Sequence, residues 1–196
     1  MGKNHERYIS FYELLDKKAV TIPPGSEKLI CVGLLGGRGY PSDPDVRGMW
    51  LGHTWTHRKE HFYRSLLEGF AYEYCHALKV MREIFPQLKF GAVRVIGGGS
   101  RSNLWNQIKC DVMGIQYERL GRDDFALLGA ALLAGRAVGI YDDIISASKS
   151  MAHKRKTFFP DEKNHAFYQS SVDVYEGIFD CVRGLFVDLQ QLPDYR

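Results

Sequence analysis

A chain of 196 residues with 45% hydrophobic and 25% charged side chains can bury a substantial core and has the make-up of a soluble globular protein, which excludes a disordered one. The formal charge of +3 is small, and 26 Lys and Arg are interspersed with 23 Asp and Glu, so the basic footprint of a nucleic-acid binder is missing. Cys31, Cys75, Cys110 and Cys181 form no CxxC pair and read as reduced thiols. MGKNHERYISFYELL lacks the apolar run of a signal peptide, and no segment is long enough to span a bilayer, so the expected compartment is the cytoplasm, with no membrane partner.

Residues 8–19 read as a short helix with Ile9, Tyr12 and Leu15 on one side; a lone opening helix with no preceding strand hints at a missing neighbour. IPPGS (22–26) is a turn, because two prolines and a glycine cannot extend that helix. KLICV (28–32) reads as a strand. The glycine-rich stretch GLLGGRGYPSDPDVRGMWLG (33–52) is a long irregular loop whose Leu34, Leu35, Tyr40, Met49, Trp50 and Leu51 predict that it packs and lines a cleft. From 56 to 85, Phe62, Leu66, Phe70, Tyr74, Ala77, Leu78 and Met81 recur at spacings of three and four, predicting one buried face of a helix of roughly eight turns that Pro86 ends.

VRVIGGGSRSN (93–103) is the stretch on which the rest depends. Val93, Val95 and Ile96 suit a buried strand, Gly97, Gly98 and Gly99 stop it, and Ser100, Ser102 or Asn103 can cap the following helix. Glycines permit positive φ and close approach by a ligand, and a helix start presents free N–H groups, so a nucleotide would sit well there. The pattern is neither GxGxxG nor GxxxxGK[ST], and a ligand-free glycine turn accounts for it equally well on its own.

The helix over 103–113 keeps Leu104, Ile108 and Val112 on one side, Gly114 ends it, and IQYERL (115–120) is a strand. In FALLGAALLAGRAV (125–138), a helix, Gly129, Ala130, Ala134 and Gly135 leave so little bulk that something must approach the backbone closely. Strand, helix, strand, helix over 91–138 predicts an α/β domain. SASKSMAHKRKTFFP (146–160) reads as a surface connection, with HKRK a solvated turn, and 161–192 as a last helix with Tyr175, Ile178, Val182, Leu185 and Leu189 in its stripe.

Chemistry-bearing clusters are few. His53, His57 and His61 fall four apart, but His53 lies before the helix and no further ligand is near, so a solvated helix face is favoured over a metal site. Asp43 and Asp45 sit among prolines and Arg47, where a turn and local ion pairing suffice. Asp123 and Asp124 precede a helix as caps, and Glu68 is a weaker candidate that would hydrogen-bond at an interface between lobes. No general base is assigned to any of them.

Several separated pieces resemble one family in order and spacing. IGGGSRSNLWNQIKCDVMG (96–114) followed by LLGAALLAG (127–135) resembles the C-terminal signature of the FGGY carbohydrate kinases, and within them the xylulokinase branch. GGRGYPSDPDVRGMWLG (36–52) resembles their GERxPxxDPxxRGxxxGL segment, HFYRSLLEGFAYE (61–73) the helix after it, and FFPDEKNHAFYQSSVDVYEGIF (158–179) their closing pattern. Gly37 in place of the usual Glu, Gly39 and Tyr40 before Pro41, and His53 for an aliphatic residue depart from that family and bear on the sugar more than on the nucleotide.

The resemblance implies an α/β, actin-like ATPase, ribonuclease H-like C-terminal lobe with a long central helix and a C-terminal helical tail from about residue 140. Residues 1–27 would be a lead-in helix and turn, and 28–196 the lobe. It further implies ATP and Mg²⁺ between two lobes, phosphorylation of a sugar or polyol hydroxyl, and an aspartate of the N-terminal lobe as general base. No catalytic residue or metal ligand is then expected in this chain. Its partners would be that N-terminal lobe, the sugar or polyol, and in a homodimer a second copy. No GTS-type turn precedes Tyr8, so the chain is expected to begin after the hairpin carrying the family's second phosphate-binding turn. By similarity, Gly98, Gly99 and Ser100 would face the nucleotide and Asn103 would border the adenine, which an amide can both donate to and accept from. Two rivals are a non-catalytic nucleotide-binding or regulatory module derived from such a kinase, and a Rossmann enzyme with Glu118 on a ribose; the latter lacks GxGxxG.

Overall fold

The computed structural model describes residues 10–122 and 124–193. Helix α1 (Phe11–Ala19) is capped by Ser10, whose Oγ accepts the Glu13 N–H at 3.2 Å, and it leans on α2 (Lys59–Ile84) through Tyr63, whose hydroxyl donates to Asp16 at 2.9 Å. Between α1 and strand β1 (Ile30–Val32) the chain makes a left-handed turn: Gly25, Ser26, Glu27 and Lys28 all have positive φ. Three of those four carry a Cβ, so the turn is strained and must be held from outside.

β1 pairs antiparallel with β2 (Met49–Leu51), with Cys31 opposite Trp50. The glycine-rich loop of 33–52 therefore closes on a strand. The loop is ordered: Arg38 grips Glu73 of α2 with two bonds of 2.8 and 3.0 Å and lies 3.8 Å over the Phe179 ring. Val46, with Leu34 and Met49 partly buried against the core, carries its packing, while Leu35, Tyr40, Trp50 and Leu51 stay exposed.

A second sheet holds β3 (Ala92–Val95), β4 (Gln116–Leu120) and β5 (Lys154–Phe158), in that order. β3 and β4 are parallel and joined through α3 (Asn103–Met113); β5 returns antiparallel to β4. The basic run at 153–156 is thus largely strand. In that strand Lys154 pairs with Glu118, and Lys156 lies 4.8 Å from the centroid of the Phe158 ring. α4 (Phe125–Ala137) packs chiefly on α5 (Ile144–Met151), and α6 (Glu162–Gln190) closes the chain. No helix among the described residues is long and apolar enough to cross a membrane.

The main core lies where α2, α3 and α6 meet, around Tyr72, Cys75, Ile108, Val112, Tyr168 and Tyr175. α3 buries the face its spacing predicts. Two predicted stripes are displaced in part: Leu78 of α2 and Tyr175 and Ile178 of α6 are buried as the spacing predicts, and other members are not. In α2 the buried face runs through Arg64, Glu68, Ala71, Tyr72 and Cys75, whereas Tyr74 and Met81 are exposed and Phe62, Leu66 and Phe70 only partly covered. In α6 the core is reached by Tyr168, Val172, Tyr175, Ile178 and Phe186, and Leu185 and Leu189 face out. In α2, polar side chains that satisfy one another, Arg64 and Glu68, are buried in place of apolar ones, which rotates the inward face of its first half.

Candidate functional site

β3 ends at Val95, and Gly97 then takes φ +79°, a conformation in which a side chain would be strained. Gly98–Arg101 form one 3₁₀ turn before α3 begins. The bend is tied from within. Ser100 is buried, and both its N–H, at 3.1 Å, and its hydroxyl, at 2.7 Å, donate to the Gly97 carbonyl. Asn106, fully buried, donates to the Ser100 carbonyl at 2.7 Å. Gly99 lies against the Trp105 ring, where a Cβ would come within 2.5 Å of a ring carbon.

The outward side of the same bend is open. A Cβ built at Gly97 or Gly98 would meet nothing within 4 Å, and Gly98, Gly99 and Asn103 are exposed. Of the three capping candidates, Ser102 is the one used: its Oγ accepts the Trp105 N–H at 2.9 Å. Asn103, first residue of α3, keeps its side-chain amide free of the cap. Three of the four predicted nucleotide residues therefore share one accessible junction, while the fourth, Ser100, turns its hydroxyl inward and braces the bend.

The small residues of α4 do not meet the close neighbour predicted for them along their length. Gly135 is pressed by the Tyr141 ring, but a Cβ at Gly129 would face open space. Asp124 bonds Arg122 at 3.1 and 3.2 Å and makes no cap bond; Asp123 lies outside the described residues.

Glu68 sits inside the lobe and not at its margin. Its carboxylate, on a residue 1% exposed, accepts from Gly25 N at 3.0 Å, Ser26 Oγ at 2.7 Å, Arg64 Nε at 2.8 Å and Tyr168 Oη at 2.9 Å. This junction clamps the strained turn to α2 and α6. Burial works against the Arg64 charge, but Glu68 and the Tyr168 hydroxyl outweigh it and hold the guanidinium above its ordinary value. Burial, then Glu68, pushes the Tyr168 phenol up.

The histidines are not a solvated helix face. His57 and His61 are buried; their Nδ1 atoms accept the Thr54 and Arg58 N–H groups at 2.9 and 3.1 Å and so order the start of α2. No cluster of metal-ligating side chains occurs among the described residues. Asp43 pairs with Arg183 at 3.4 Å and accepts from Asp45 N, so it is a loop anchor. Glu118 is engaged by Lys154, by Gln116 at 3.0 Å and by Arg94 at 3.4 Å, and the Lys154 bond holds its carboxyl below the ordinary value. It is thereby unavailable to a ribose.

One residue escaped the sequence reading. Lys109 of α3 is 6% exposed, with its ammonium 4.3 Å from the Trp105 ring centroid and 5.6 Å from that of Tyr117; burial pulls its pKa down to about 8. The i, i+4 spacing of Trp105 and Lys109 on a predicted helix was the signal that could have found it.

An open glycine bend between a parallel strand and a helix, backed by a long central helix and a helical tail, defines an α/β lobe of the actin-like ATPase fold. Residues 3–138 match the C-terminal domain model of the FGGY family of carbohydrate kinases, and the chain belongs to that family. Among its relatives is a xylulose kinase of Staphylococcus epidermidis, 30% identical over 181 residues, which cover 92% of this chain and 36% of that one. Among solved structures, the ligand-bound xylulose kinase of Lactobacillus acidophilus superposes with a TM-score of 0.77 at 27% identity, covering 91% of this chain and 36% of the other. The gluconate kinase of Lactobacillus acidophilus gives 0.76 at 25% identity, covering 96% and 38%. The chain thus spans about a third of the length of these relatives. These relatives are all named as kinases, which does not favour the regulatory-module alternative.

Proposed function

We propose that the chain is the nucleotide-binding lobe of an ATP-dependent carbohydrate kinase of the xylulokinase type, which works with an N-terminal lobe to phosphorylate a sugar or polyol hydroxyl. Residues 28–196 would be the lobe and 1–27 its lead-in, in keeping with an α1 that buries only Ala19. The observation that carries this reading is the open face of the bend at Gly97 and Gly98, with the exposed Gly99 backed by Trp105, beside the Asn103 amide that takes no part in the cap, in a chain of this family.

The residues present fit a nucleoside. Gly98 and Gly99 offer bare main chain against which a flat base can lie, and Asn103 can donate to and accept from its edge. Ser100 and Asn106 hold the bend in shape from behind. When bound, ATP with Mg²⁺ supplies the phosphoryl group and the charge neutralisation of its transfer. In this reading the lobe positions the nucleotide and the N-terminal lobe supplies the proton acceptor, in keeping with Glu68 and Glu118 being engaged by four and three donors.

Thermal-shift measurement on the chain is the test. ATP with Mg²⁺ should raise its melting temperature and NAD should not; equal responses, or none to ATP, would remove the nucleotide assignment. A coupled ADP-release assay with pentuloses and polyols should show negligible turnover, and robust turnover would refute the division of labour between lobes.

A further inference from the structure

The polar groups around the glycine bend differ in how firmly they are held, and that difference bears on which base they can tell apart. Gly97 and Gly98 offer open main chain, and contact between a flat ring and bare main chain is blind to the exocyclic groups that separate adenine from guanine. Ser100 turns its hydroxyl to the Gly97 carbonyl and Ser102 accepts the Trp105 N–H, so both are committed within the chain. Arg101 carries donors only; aimed at a base, it would suit the O6 and N7 acceptors of guanine at least as well as the lone N7 acceptor of adenine. Two amides remain, and they contrast. Asn106 is fully buried, with its Nδ2 donating to the Ser100 carbonyl at 2.7 Å, so its orientation is settled. Asn103, at the start of α3, is exposed, and among the described residues no hydrogen bond holds its amide in one orientation.

Adenine shows a donor, its 6-amino group, beside the N1 acceptor; guanine shows the same two roles exchanged, an O6 acceptor beside the N1–H donor. Half a turn of a carboxamide about its last torsion exchanges its carbonyl and its NH₂, so a free amide can answer either edge with two hydrogen bonds. A fixed, buried amide rejects the wrong base because it is left unpaired there, whereas an exposed one turns over or returns to water at little cost. We propose that this lobe accepts guanine nucleotides alongside adenine nucleotides, with affinities within about fivefold of each other, and that Asn103 is the residue that sets this tolerance. The proposal rests on the nucleotide reading of the bend and adds to it the class of base, 6-amino and 6-oxo purines alike. The same freedom makes the preference alterable. A carboxylate at position 103 accepts twice and donates nothing, which matches the adjacent N1–H and N2–H donors of guanine and leaves the N1 acceptor of adenine facing an anion.

Calorimetric titration of the full chain with ATP and with GTP, each with Mg²⁺, is the test. The two dissociation constants should agree within about fivefold. Asn103→Asp should move their ratio toward GTP by at least about tenfold. Both nucleotides carry the same triphosphate, so the effect of the added negative charge on the phosphates is common to both and cancels in the ratio. Position 103 is exposed and begins a helix, where an acidic residue is favourable, so the variant should match the parent by circular dichroism. Asn103→Ala should weaken both nucleotides by the same factor. If ATP binds and GTP is weaker by more than about fivefold, the tolerance is refuted while the nucleotide reading stands. A ratio that Asn103→Asp leaves unmoved would equally overturn the proposal, because the base would then be read by some other group. If neither nucleotide binds, the nucleotide reading itself fails and this inference falls with it.

Discussion

Glu68 and Lys109 are both buried charges on helices of the same core, and their surroundings differ completely. Glu68 is met by an arginine, a phenol, a serine and a backbone N–H, drawn from three separate parts of the chain. Lys109 is met by the faces of Trp105 and Tyr117. A buried charge with every lone pair answered marks a junction that the chain completes by itself, whereas Lys109, held only on aromatic faces, carries the cost of its burial as a lowered pKa. The helical half around Glu68 is finished; the sheet half around Lys109 carries the open glycine bend.

Breaking the finished half should cost most. Glu68→Ala removes the acceptor of four donors and strands the Arg64 charge, so it should lose about 3–5 kcal/mol in urea unfolding at neutral pH. Glu68→Ala combined with Arg64→Met should lose less than the sum of the two singles, because no lone charge is left; additivity would show the junction to be less coupled than its geometry indicates. Next come two glycine substitutions that differ only in region. A Cβ at Gly69 would run into the Cys31 carbonyl where β1 crosses α2, so Gly69→Ala should cost about 1–3 kcal/mol. Gly98→Ala meets no atom within 4 Å and should stay within about 0.5 kcal/mol of the parent in the same assay, while diminishing the ATP thermal shift.

The contrast also explains how much was legible from residues alone. The inward face of α3, with Ile108 and Val112, follows directly from spacing, as does the strand, glycine bend and helix that present Gly98, Gly99 and Asn103. The face of α2 does not, because a hydrophobic stripe passes over Arg64 and Glu68, whose burial depends on partners 42 and 100 residues from Glu68. The same limit hid β5 within a basic run, since Lys154 is accommodated there by Glu118. Histidines at 57 and 61 looked solvated because their use as acceptors for helix-starting N–H groups is a matter of local geometry. Ser100 lies in the glycine bend, but the direction of its hydroxyl is set by the 3₁₀ turn, which the glycines do not announce.

Lys109 sharpens the comparison through pH. Its pKa falls from an ordinary 10.5 to about 8 on folding, so below pH 8 both folded and unfolded chains hold the proton and the full burden of burying the charge is present. Between about pH 8 and 10.5 the unfolded chain holds more protons than the folded one, and that burden is relieved as pH rises. Lys109→Met should therefore stabilise the free chain by about 1–3 kcal/mol at pH 7, less what the ring contacts contributed, and the advantage should shrink across that window. The difference between the two unfolding curves, followed from pH 7 to about pH 10, isolates this group from the tyrosines and thiols that both chains share. A constant difference would mean that the ammonium is already paired in solution.

The smallest effect on stability separates the two neighbours that begin α3. Ser102 holds the Trp105 N–H, so Ser102→Ala should lose about 1 kcal/mol and leave any ATP response otherwise intact once the lower starting melting temperature is allowed for. Asn103 is exposed and has no part in that bond, so Asn103→Ala should lie within about 0.5 kcal/mol of the parent in unfolding. If its amide reads the edge of a base, the same variant should lower the thermal shift produced by ATP and leave that produced by Mg²⁺ alone unchanged. An unaltered ATP shift would strip Asn103 of a binding role and leave the bare main chain at Gly98 and Gly99 as the whole of the contact. A loss of stability equal to that of Ser102→Ala would show instead that the two side chains share the cap, and the Asn103 amide would then not be free to meet a base.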